Sequence, residues 1–414
     1  MKKFLALTLA LVMSLSLVAC GDKKTDDTKT DAPDQTEQPA ENEGAYKVAM
    51  ITDYGDITDQ SFNQTTYEAC KAFAEDNSIE FSYFRPAGDN TADRVAMIEK
   101  AVNDGFNVIV MPGYAFGGAI VEAAPEFPDV KFIALDVAAG DLLETAVAKA
   151  GEAYDYTPEN WDLNKYVDMS NVYCAVYQEE LCGYMAGYAA VKLGYKNLGF
   201  LGGMSVPAVV RYGYGFVQGV DAAAADLGLT DVKLNYIYGG QFFGDADITA
   251  VMDTWYQGGT EVVFACGGGI YTSAVDAAKK VNAKVIGVDV DQAGVIAKYA
   301  GVDGMTVTSA MKGLYPATYD TLTDVIVNGN WEKYVGKIET LGLVSGTDPE
   351  ANYVQIPMGD GTQWSDSFTQ DDYKAMVKDM FDGKITVSNN TSSDVSAADF
   401  ATVITVDDQG SIKG

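Results

Sequence analysis

Short apolar runs alternate with amphipathic segments along most of this chain, and this alternation restricts the folds that it can adopt. The first apolar runs have the length and composition of strands: Lys47–Ile51, Glu80–Tyr83, Val108–Met111 and Phe132–Leu135. Segments of helical length lie between them, and Thr91–Asn103 carries its aliphatic residues on one face. Strands that alternate with helices at this spacing form parallel βαβ units. The sequence therefore predicts an α/β fold.

The same rhythm starts again near Asn171. Further strands are predicted at Val172–Val176, Leu198–Leu201, Leu234–Ile237, Val262–Ala265, Val285–Val288 and Thr306–Ser309, with helices between them. Residues 138–169 interrupt the pattern, which indicates an insertion or an extended hinge region. We therefore predict two Rossmann-like lobes. The N-terminal lobe would comprise residues 46–168 plus 304–332, and the C-terminal lobe residues 169–303 plus 333–414.

The N-terminus has the features of a secretory signal. Lys2 and Lys3 precede an almost wholly apolar run that is shorter than the roughly 20 residues of a membrane-spanning helix. The run ends in Leu-Val-Ala-Cys at Cys20, which resembles a bacterial lipobox and implies cleavage before Cys20 and lipidation of its sulfur. The alternative is an ordinary signal peptide with a chance cysteine. We predict a signal at residues 1–19 and an extracytoplasmic protein anchored to the cell membrane by lipid.

The segment after the signal is polar. Residues 21–44 contain no aromatic residue and no aliphatic residue larger than alanine. Such a segment cannot bury enough apolar surface to offset the entropy of ordering it, so residues 20–45 are predicted to form a disordered acidic tether. The whole chain has a formal net charge of −31. Because no basic stripe is present to neutralise phosphates, we exclude nucleic acid as a partner.

The chain contains no histidine, which removes the commonest general base and most zinc sites. We therefore expect a binding protein with no catalytic residue, no metal and no cofactor, and a hydrolase is the enzymatic alternative. The cysteines after Cys20 are Cys70, Cys174, Cys182 and Cys266, and their spacing matches no metal motif. Their apolar surroundings favour buried thiols, with a disulfide as the alternative outside the cytoplasm.

Charged side chains follow several predicted strands directly. Asp53, Asp136 and Asp289 each come at or just past a strand end, and Lys312 follows the strand that ends at Ser309. Ligands of open α/β sheets bind at the carboxyl ends of the strands, where a carboxylate can accept two hydrogen bonds from a sugar diol. The alternative is that each aspartate caps a helix N-terminus, which stabilises a helix by about 1 kcal/mol.

Aromatic rings and glycines occupy similar loops. Phe62 and Asn63 follow the first strand, and Tyr212 lies in the second lobe. Rings from opposite lobes can stack on a flat heterocycle, with stacking worth roughly 1–3 kcal/mol per base, although core packing is the alternative for either ring. Gly202–Gly203 and Gly267–Gly269 match no nucleotide-phosphate motif. They form either tight turns or places where the backbone approaches a ligand.

Several short blocks carry a resemblance to a known family: Asp53 with Asp59–Gln64, Ala134–Asp136, Gly199–Met204, Gly215–Phe216 with Gly219–Val220, Gly287–Gln292 and Thr308–Lys312. Together they resemble the basic membrane protein family of ABC-transporter substrate-binding lipoproteins, which includes the purine nucleoside receptors. The resemblance implies a periplasmic-binding-protein type I fold with three hinge crossings and a ligand between the lobes.

The resemblance also implies a function and a role for each candidate residue. The implied contacts are stacking on the base by Phe62 and Tyr212, polar contacts to the base by Asp53 and Asn63, contacts to the ribose by Asp136, Asp289 and Lys312, and backbone contacts by Gly267 and Gly268. The implied function is capture of a purine nucleoside for an ABC importer, whose permease is the expected partner. The alternatives are a sugar or another small polar ligand in the same fold, and a ligand-sensing or adhesion lipoprotein.

Overall fold

The computed structural model describes residues 45–413, so the predicted signal, Cys20 and all but the end of the tether lie outside the described residues. In chain order the strands are β1 Lys47–Ile51, β2 Glu80–Phe84, β3 Val108–Pro112, β4 Lys131–Leu135, β5 Val172–Tyr177, β6 Asn197–Gly202, β7 Lys233–Tyr238, β8 Val262–Cys266, β9 Lys284–Asp289, β10 Thr306–Lys312, β11 Ile338–Leu341, β12 Val354–Gln355 and β13 Thr405–Ser411. The α-helices are α1 Phe62–Asn77, α2 Thr91–Asn103, α3 Gly117–Ala123, α4 Ala139–Lys149, α5 Leu163–Tyr166, α6 Glu179–Lys192, α7 Pro207–Asp226, α8 Ala246–Gln257, α9 Tyr271–Val281, α10 Ala293–Ala300, α11 Leu314–Leu322 and α12 Gln370–Phe381.

The strands form two separate sheets, one in each lobe. The first sheet has the order β11-β5-β4-β3-β1-β2, and the second has the order β12-β10-β9-β8-β6-β7-β13. Neighbouring strands run parallel, except that β12 pairs antiparallel to β10. Alternate residues of β1 enter different hydrophobic cores, Val48 and Met50 in one and Ala49 and Ile51 in the other. Both faces of the sheet are therefore covered, as parallel sheets require. The predicted α/β fold with two lobes is confirmed.

The chain crosses between the lobes three times. It leaves the first sheet after β5 and enters the second lobe at α6, which packs closely on α7. It returns after β10, because α11 packs on α1 of the first lobe. The third crossing lies between β11 and β12, whose strands belong to different sheets. Three crossings are what the family resemblance implied.

Strand pairing corrects the predicted lobe boundaries. β5 was assigned to the C-terminal lobe within residues 169–303, but it pairs with β4 in the first sheet. β10 was assigned to the N-terminal lobe within residues 304–332, but it pairs with β9 in the second sheet. β11, within residues 333–414, pairs with β5 in the first sheet. Hydrophobic patterning locates strands along the chain but carries no information about which strands become neighbours.

The prediction of an insertion or hinge at residues 138–169 was also wrong in part. α4 lies in this segment and connects β4 to the parallel strand β5, so the segment is a βαβ crossover within the first lobe. The segment that follows α4 packs its aromatic rings on each other, with the centroids of Tyr154 and Trp161 5.7 Å apart.

No helix between residues 45 and 413 is long and apolar enough to span a membrane. The four cysteines from Cys70 onward are buried free thiols, as their apolar surroundings predicted.

Helices α6 and α7 cross in close contact because glycines face backbone at the crossing. A Cβ atom on Gly215 would lie 2.1 Å from the backbone oxygen of Glu180, and one on Gly183 would lie 2.3 Å from that of Tyr212. Such distances leave no room for any side chain. The crossing matters for the cavity described below, because α6 begins at Glu179 and α7 carries Arg211 and Tyr212.

We expect Gly215→Ala to lower the free energy of unfolding by about 1–3 kcal/mol, since the added methyl group must push the two helices apart. Gly294→Ala is the matched control, because Gly294 lies in α10 with no atom within 4 Å of the added Cβ. The control should keep or raise stability, since alanine is the better helix former. Urea denaturation followed by circular dichroism measures both variants, and equal midpoints for the two would contradict the close crossing.

Candidate interlobe binding site

A cavity of about 380 Å³ lies between the two lobes. All nine residues that the sequence predicted as ligand contacts line it: Asp53, Phe62, Asn63, Asp136, Tyr212, Gly267, Gly268, Asp289 and Lys312. Asp136 follows β4, Asp289 ends β9, and Lys312 ends β10. They meet because the carboxyl ends of parallel strands from both sheets point toward the cleft. The structure thus brings the predicted residues together, and their roles toward a ligand stay predictions.

Two of the aspartates lie on unusual backbone. Asp136 has a φ of 60° and Asp289 a φ of 64°, in the left-handed region that most residues avoid. Specific contacts hold each of them there. The amide nitrogen of Asp136 donates to the Ala175 oxygen at 2.7 Å, and the Asp289 carboxylate accepts from the Ser61 hydroxyl at 2.5 Å. Such conformations cluster at ligand-binding sites, where the surrounding structure fixes them.

The Lys312 ammonium is the centre of a buried cluster of charges. Its Nζ lies 2.5 Å from Asp136 Oδ2, 3.5 Å from Glu179 Oε1 and 3.8 Å from Asp289 Oδ1. Burial acts to lower the pKa of Lys312, but these carboxylates outweigh it and raise the pKa above the ordinary value. Burial raises the pKa of Asp136 to about 6 despite the nearby ammonium. The lysine is therefore charged at neutral pH.

Glu179 and Arg211 belong to this cluster, and sequence reasoning missed both. Glu179 is fully buried, and its Oε2 accepts from Arg211 Nε at 2.7 Å. Its other oxygen faces Lys312, so one carboxylate joins two cations. Acidic residues are common at helix starts, where they interact favourably with the helix dipole, so the position of Glu179 at the start of α6 carries no distinctive signal. The pairing with Arg211 depends on the α6–α7 crossing and left no local signal.

Aromatic rings surround the charged cluster from both lobes. Phe62 is half-buried, with its ring centroid 4.7 Å from Lys312 Nζ, and the Tyr212 centroid lies 5.6 Å from the same atom. Tyr212 is only 2% exposed, and its hydroxyl donates to Asp289 Oδ1 at 3.4 Å. Tyr212 therefore lines the cavity as part of the second-lobe wall while also packing in the core.

Further rings line the cavity that the sequence analysis did not single out: Tyr54, Tyr114, Phe242 and Phe243. Phe242 lies in the loop between β7 and α8, and its ring faces Tyr54 of the other lobe with centroids 6.5 Å apart. Phe242 and Phe243 are adjacent residues in a loop, so they do not fit the periodic pattern of a buried strand or helix face. A pair of phenylalanines outside such a pattern was the sequence signal that could have identified them as cavity residues.

Direct contacts between the lobes show that the described conformation is closed. Ser61 of the first lobe bonds Asp289 of the second, and Gln292 Nε2 donates to the Gln60 oxygen at 3.2 Å. The Tyr54 hydroxyl also reaches Met204 Sδ at 3.5 Å. These bonds would break if the lobes separated, so closure and assembly of the cavity wall occur together.

The first-lobe loop after β1 supplies the remaining polar groups. Asp53 Oδ1 accepts from the backbone nitrogens of Tyr54 and Gly55 at 2.6 and 2.7 Å. Burial nevertheless raises the pKa of Asp53. Asn63 is buried, and its Oδ1 has no hydrogen-bond partner among the described residues. This loop thus presents hydrogen-bonding groups to the cavity.

Within residues 45–413, no three acidic, cysteine or histidine side chains are arranged to hold a metal ion.

Comparisons with known proteins agree with this architecture. The family model described as "ABC transporter substrate-binding protein PnrA-like" matches residues 46–347. The ABC transporter nucleoside-binding protein BmpA of Lactococcus lactis is 26% identical over 404 residues, which cover 94% of this chain and 99% of that protein. Basic membrane protein B of Borreliella burgdorferi is 26% identical over 322 residues, which cover 75% of this chain and 83% of that protein.

A solved structure supports the fold. The solute-binding protein of an ABC transporter system from Aeropyrum pernix superposes with a TM-score of 0.59 at 20% identity, over 82% of this chain and 87% of that chain.

Glu180, next to the charged cluster, gives a pH prediction. It is 2% exposed, its Oε2 has no partner among residues 45–413, and burial raises its pKa from 4.5 to about 7. The folded state therefore holds this proton more tightly than the unfolded state, so stability falls as pH rises from 4.5 to 7. Asp59, Asp136 and Asp141 act in the same direction, because burial raises the pKa of each as well.

We expect Glu180→Gln to make the fall of the thermal midpoint between pH 5 and pH 8 shallower than in the wild type, since glutamine does not titrate. The exposed Glu122→Gln is the matched control and should follow the wild-type curve. Thermal unfolding across this pH range measures all three proteins. An unchanged slope in Glu180→Gln would contradict a buried, proton-binding carboxyl group at this position.

Proposed function

This chain belongs to the family of PnrA-like ABC transporter substrate-binding proteins, and we propose that its ligand is a purine nucleoside. A substrate-binding protein of this kind captures a small molecule and passes it to the permease of an ABC importer. The family is one of transport proteins rather than enzymes. The mechanism that we propose is closure of the two lobes on the nucleoside, followed by reopening at the permease.

The observation that carries the proposal is the composition of the interlobe cavity. Its walls carry aromatic rings, with Phe62 from the first lobe and Tyr212 and Phe242 from the second. The Lys312 cluster of buried charges lies directly against these rings, with the Lys312 Nζ 4.7 Å from the Phe62 centroid. A nucleoside joins the same two kinds of group, because its base is flat and its ribose carries hydroxyls. Cavities of about 300–1,000 Å³ are usual for small ligands, and this one has about 380 Å³.

The carboxylates of the Lys312 cluster offer acceptors for ribose hydroxyls. Asp136 Oδ2 is held by Lys312, whereas its buried Oδ1 has no hydrogen-bond partner among residues 45–413. An unpaired buried carboxylate oxygen is costly, so a ligand hydroxyl that bonds it would be strongly favoured. Asp289 lies beside it and is already oriented by Ser61 and Tyr212. We propose that Asp136, Asp289 and Lys312 bind the ribose.

The aromatic rings that line the cavity suit a flat base. We propose that Phe62 stacks on one face and that Tyr212 and Phe242 close the opposite side, while Asp53 and Asn63 bond the edge of the ring. Gly267 has a φ of 158° and Gly268 a φ of 48°. A Cβ on Gly267 would lie 3.0 Å from Gly203 Cα, so this loop keeps its backbone near the cavity. The name of the L. lactis relative, a nucleoside-binding protein, agrees with this assignment.

We also propose that the mature protein is anchored by lipid at Cys20 on the extracytoplasmic face of the cell membrane. The proposal rests on the apolar run and the Leu-Val-Ala-Cys motif at residues 17–20. A relative named as a basic membrane protein agrees with membrane association. Mass spectrometry of the mature N-terminal peptide tests it, because an unmodified Cys20 would contradict lipidation.

Calorimetry with inosine, guanosine, adenosine and free ribose tests the proposed ligand. We expect at least one nucleoside to bind and ribose alone to bind far more weakly. Phe62→Ala should lower nucleoside affinity by roughly 10- to 100-fold, as expected for the loss of one stacked ring. Phe381→Ala is the matched control, because Phe381 is an exposed phenylalanine that does not line the cavity. Tight ribose binding with no nucleoside binding would instead support a sugar ligand.

A further inference from the structure

The Asp59 carboxylate accepts several hydrogen bonds within the loop after β1 and the start of α1. Its Oδ1 accepts from the backbone nitrogens of Ser61 and Gln64 at 2.9 and 3.1 Å. Its Oδ2 accepts from the backbone nitrogen of Asn63 at 2.9 Å and from the side-chain Nδ2 of Asn63 at 3.2 Å. Ser61, which precedes α1, makes no side-chain cap. Asp59 therefore caps the helix from two residues further back and also holds the Asn63 side chain.

The chemistry of this contact fixes the orientation of the Asn63 amide. A carboxylate only accepts hydrogen bonds, so the group that Asn63 turns toward Asp59 must be its NH₂. The opposite orientation would place two acceptor oxygens against each other. Burial raises the pKa of Asp59 to about 6, which leaves it ionised at neutral pH. The orientation therefore holds under ordinary conditions.

The consequence for the cavity is an unpaired acceptor. Asn63 is 5% exposed and lines the cavity. Its NH₂ donates to Asp59 and also to Asp53, where this hydrogen bond acts to lower the pKa of the Asp53 carboxyl, so both carboxylates face the NH₂. Oδ1 is then the group left for a ligand, and this atom has no partner in the described part of the chain. Gly55 makes room for the arrangement, because a Cβ there would lie 2.4 Å from Asn63 Nδ2.

We propose that Asp59 is a positioning residue that sets the polarity of the Asn63 amide, so that the site selects a ligand whose ring edge carries an N–H donor. This inference rests on the proposed nucleoside function and narrows it to bases with an N–H at the bonded edge. A base without that donor would leave Asn63 Oδ1 buried and unpaired. Sites built to pair a ligand N–H or O–H reject analogues that lack it far better than apolar pockets do.

Both partners lie in the first lobe, which makes the arrangement independent of closure. Asp59 and Asn63 are separated by four positions around the start of α1. The amide is therefore oriented before a ligand arrives, and binding does not have to reorganise it. Pre-oriented groups of this kind favour affinity because less ordering accompanies binding.

Affinities for inosine, adenosine and purine riboside test the proposal in the wild type, in Asp59→Asn and in Glu68→Gln. Purine riboside has no N–H on its base, so the wild type should bind inosine or adenosine about tenfold or more tightly, as expected for one buried hydrogen bond. Asparagine at position 59 can donate to Asn63, which leaves Asp53 alone to hold the NH₂ and weakens the preference for one amide orientation. In that variant the preference should fall to threefold or less. Glu68→Gln removes an exposed charge on the same helix and should keep the wild-type ratio.

The ratio of affinities is the decisive quantity, because general damage to the fold weakens all three nucleosides together. A wild-type ratio in Asp59→Asn would overturn the positioning role and leave the proposed function intact. Neutron diffraction from a deuterium-exchanged, ligand-free crystal decides the orientation without any ligand. We expect both side-chain deuterons of Asn63 on the atom that faces Asp59. Deuterons on the other terminal atom of the amide, with the oxygen facing Asp59, would overturn the inference. If the wild type binds no nucleoside, the proposed function fails, while this second measurement still decides the orientation of the Asn63 amide.

Discussion

The closed structure depends on the ion pairs of the buried Lys312 ammonium. Lys312 ends a strand of the second lobe, and the shortest contact of its ammonium, 2.5 Å, is to Asp136 of the first lobe. Glu179 and Asp289 complete its surroundings from the second lobe. Removing one partner from such a cluster leaves an uncompensated buried charge, which is strongly destabilising. The lobes therefore meet around a lysine that needs carboxylates from both of them.

The cavity presents two kinds of surface side by side. The charged cluster is already crowded with hydrogen bonds, and few of its acceptors, such as Asp136 Oδ1, have no partner among residues 45–413. The aromatic rings beside it offer flat faces, and the loop after β1 adds the oriented Asn63 amide. Contacts such as Ser61 to Asp289 join the lobes directly in the closed form. A ligand shifts the equilibrium toward closure by the contacts that it adds to this form.

Sequence patterns predicted much of this arrangement and missed identifiable parts of it. The strands were located because buried parallel strands are short apolar runs, and Asp136, Asp289 and Lys312 met because the carboxyl ends of the strands in both sheets face the cleft. Strand order was not encoded locally, so β5, β10 and β11 were placed in the wrong lobes. α7 begins at Pro207, and proline at the first helical position was an available signal for that start. The Glu179–Arg211 pair depends on packing between helices and could not be seen in the sequence.

A crystal structure of the protein with inosine is the most direct measurement of the central claim, that a nucleoside lies between the lobes against the Lys312 cluster. We predict a closed form with the base on the Phe62 ring and the ribose hydroxyls within hydrogen-bond distance of Asp136 and Asp289. Inosine bound outside the interlobe cavity, or an open and empty cleft at saturating inosine, would contradict it.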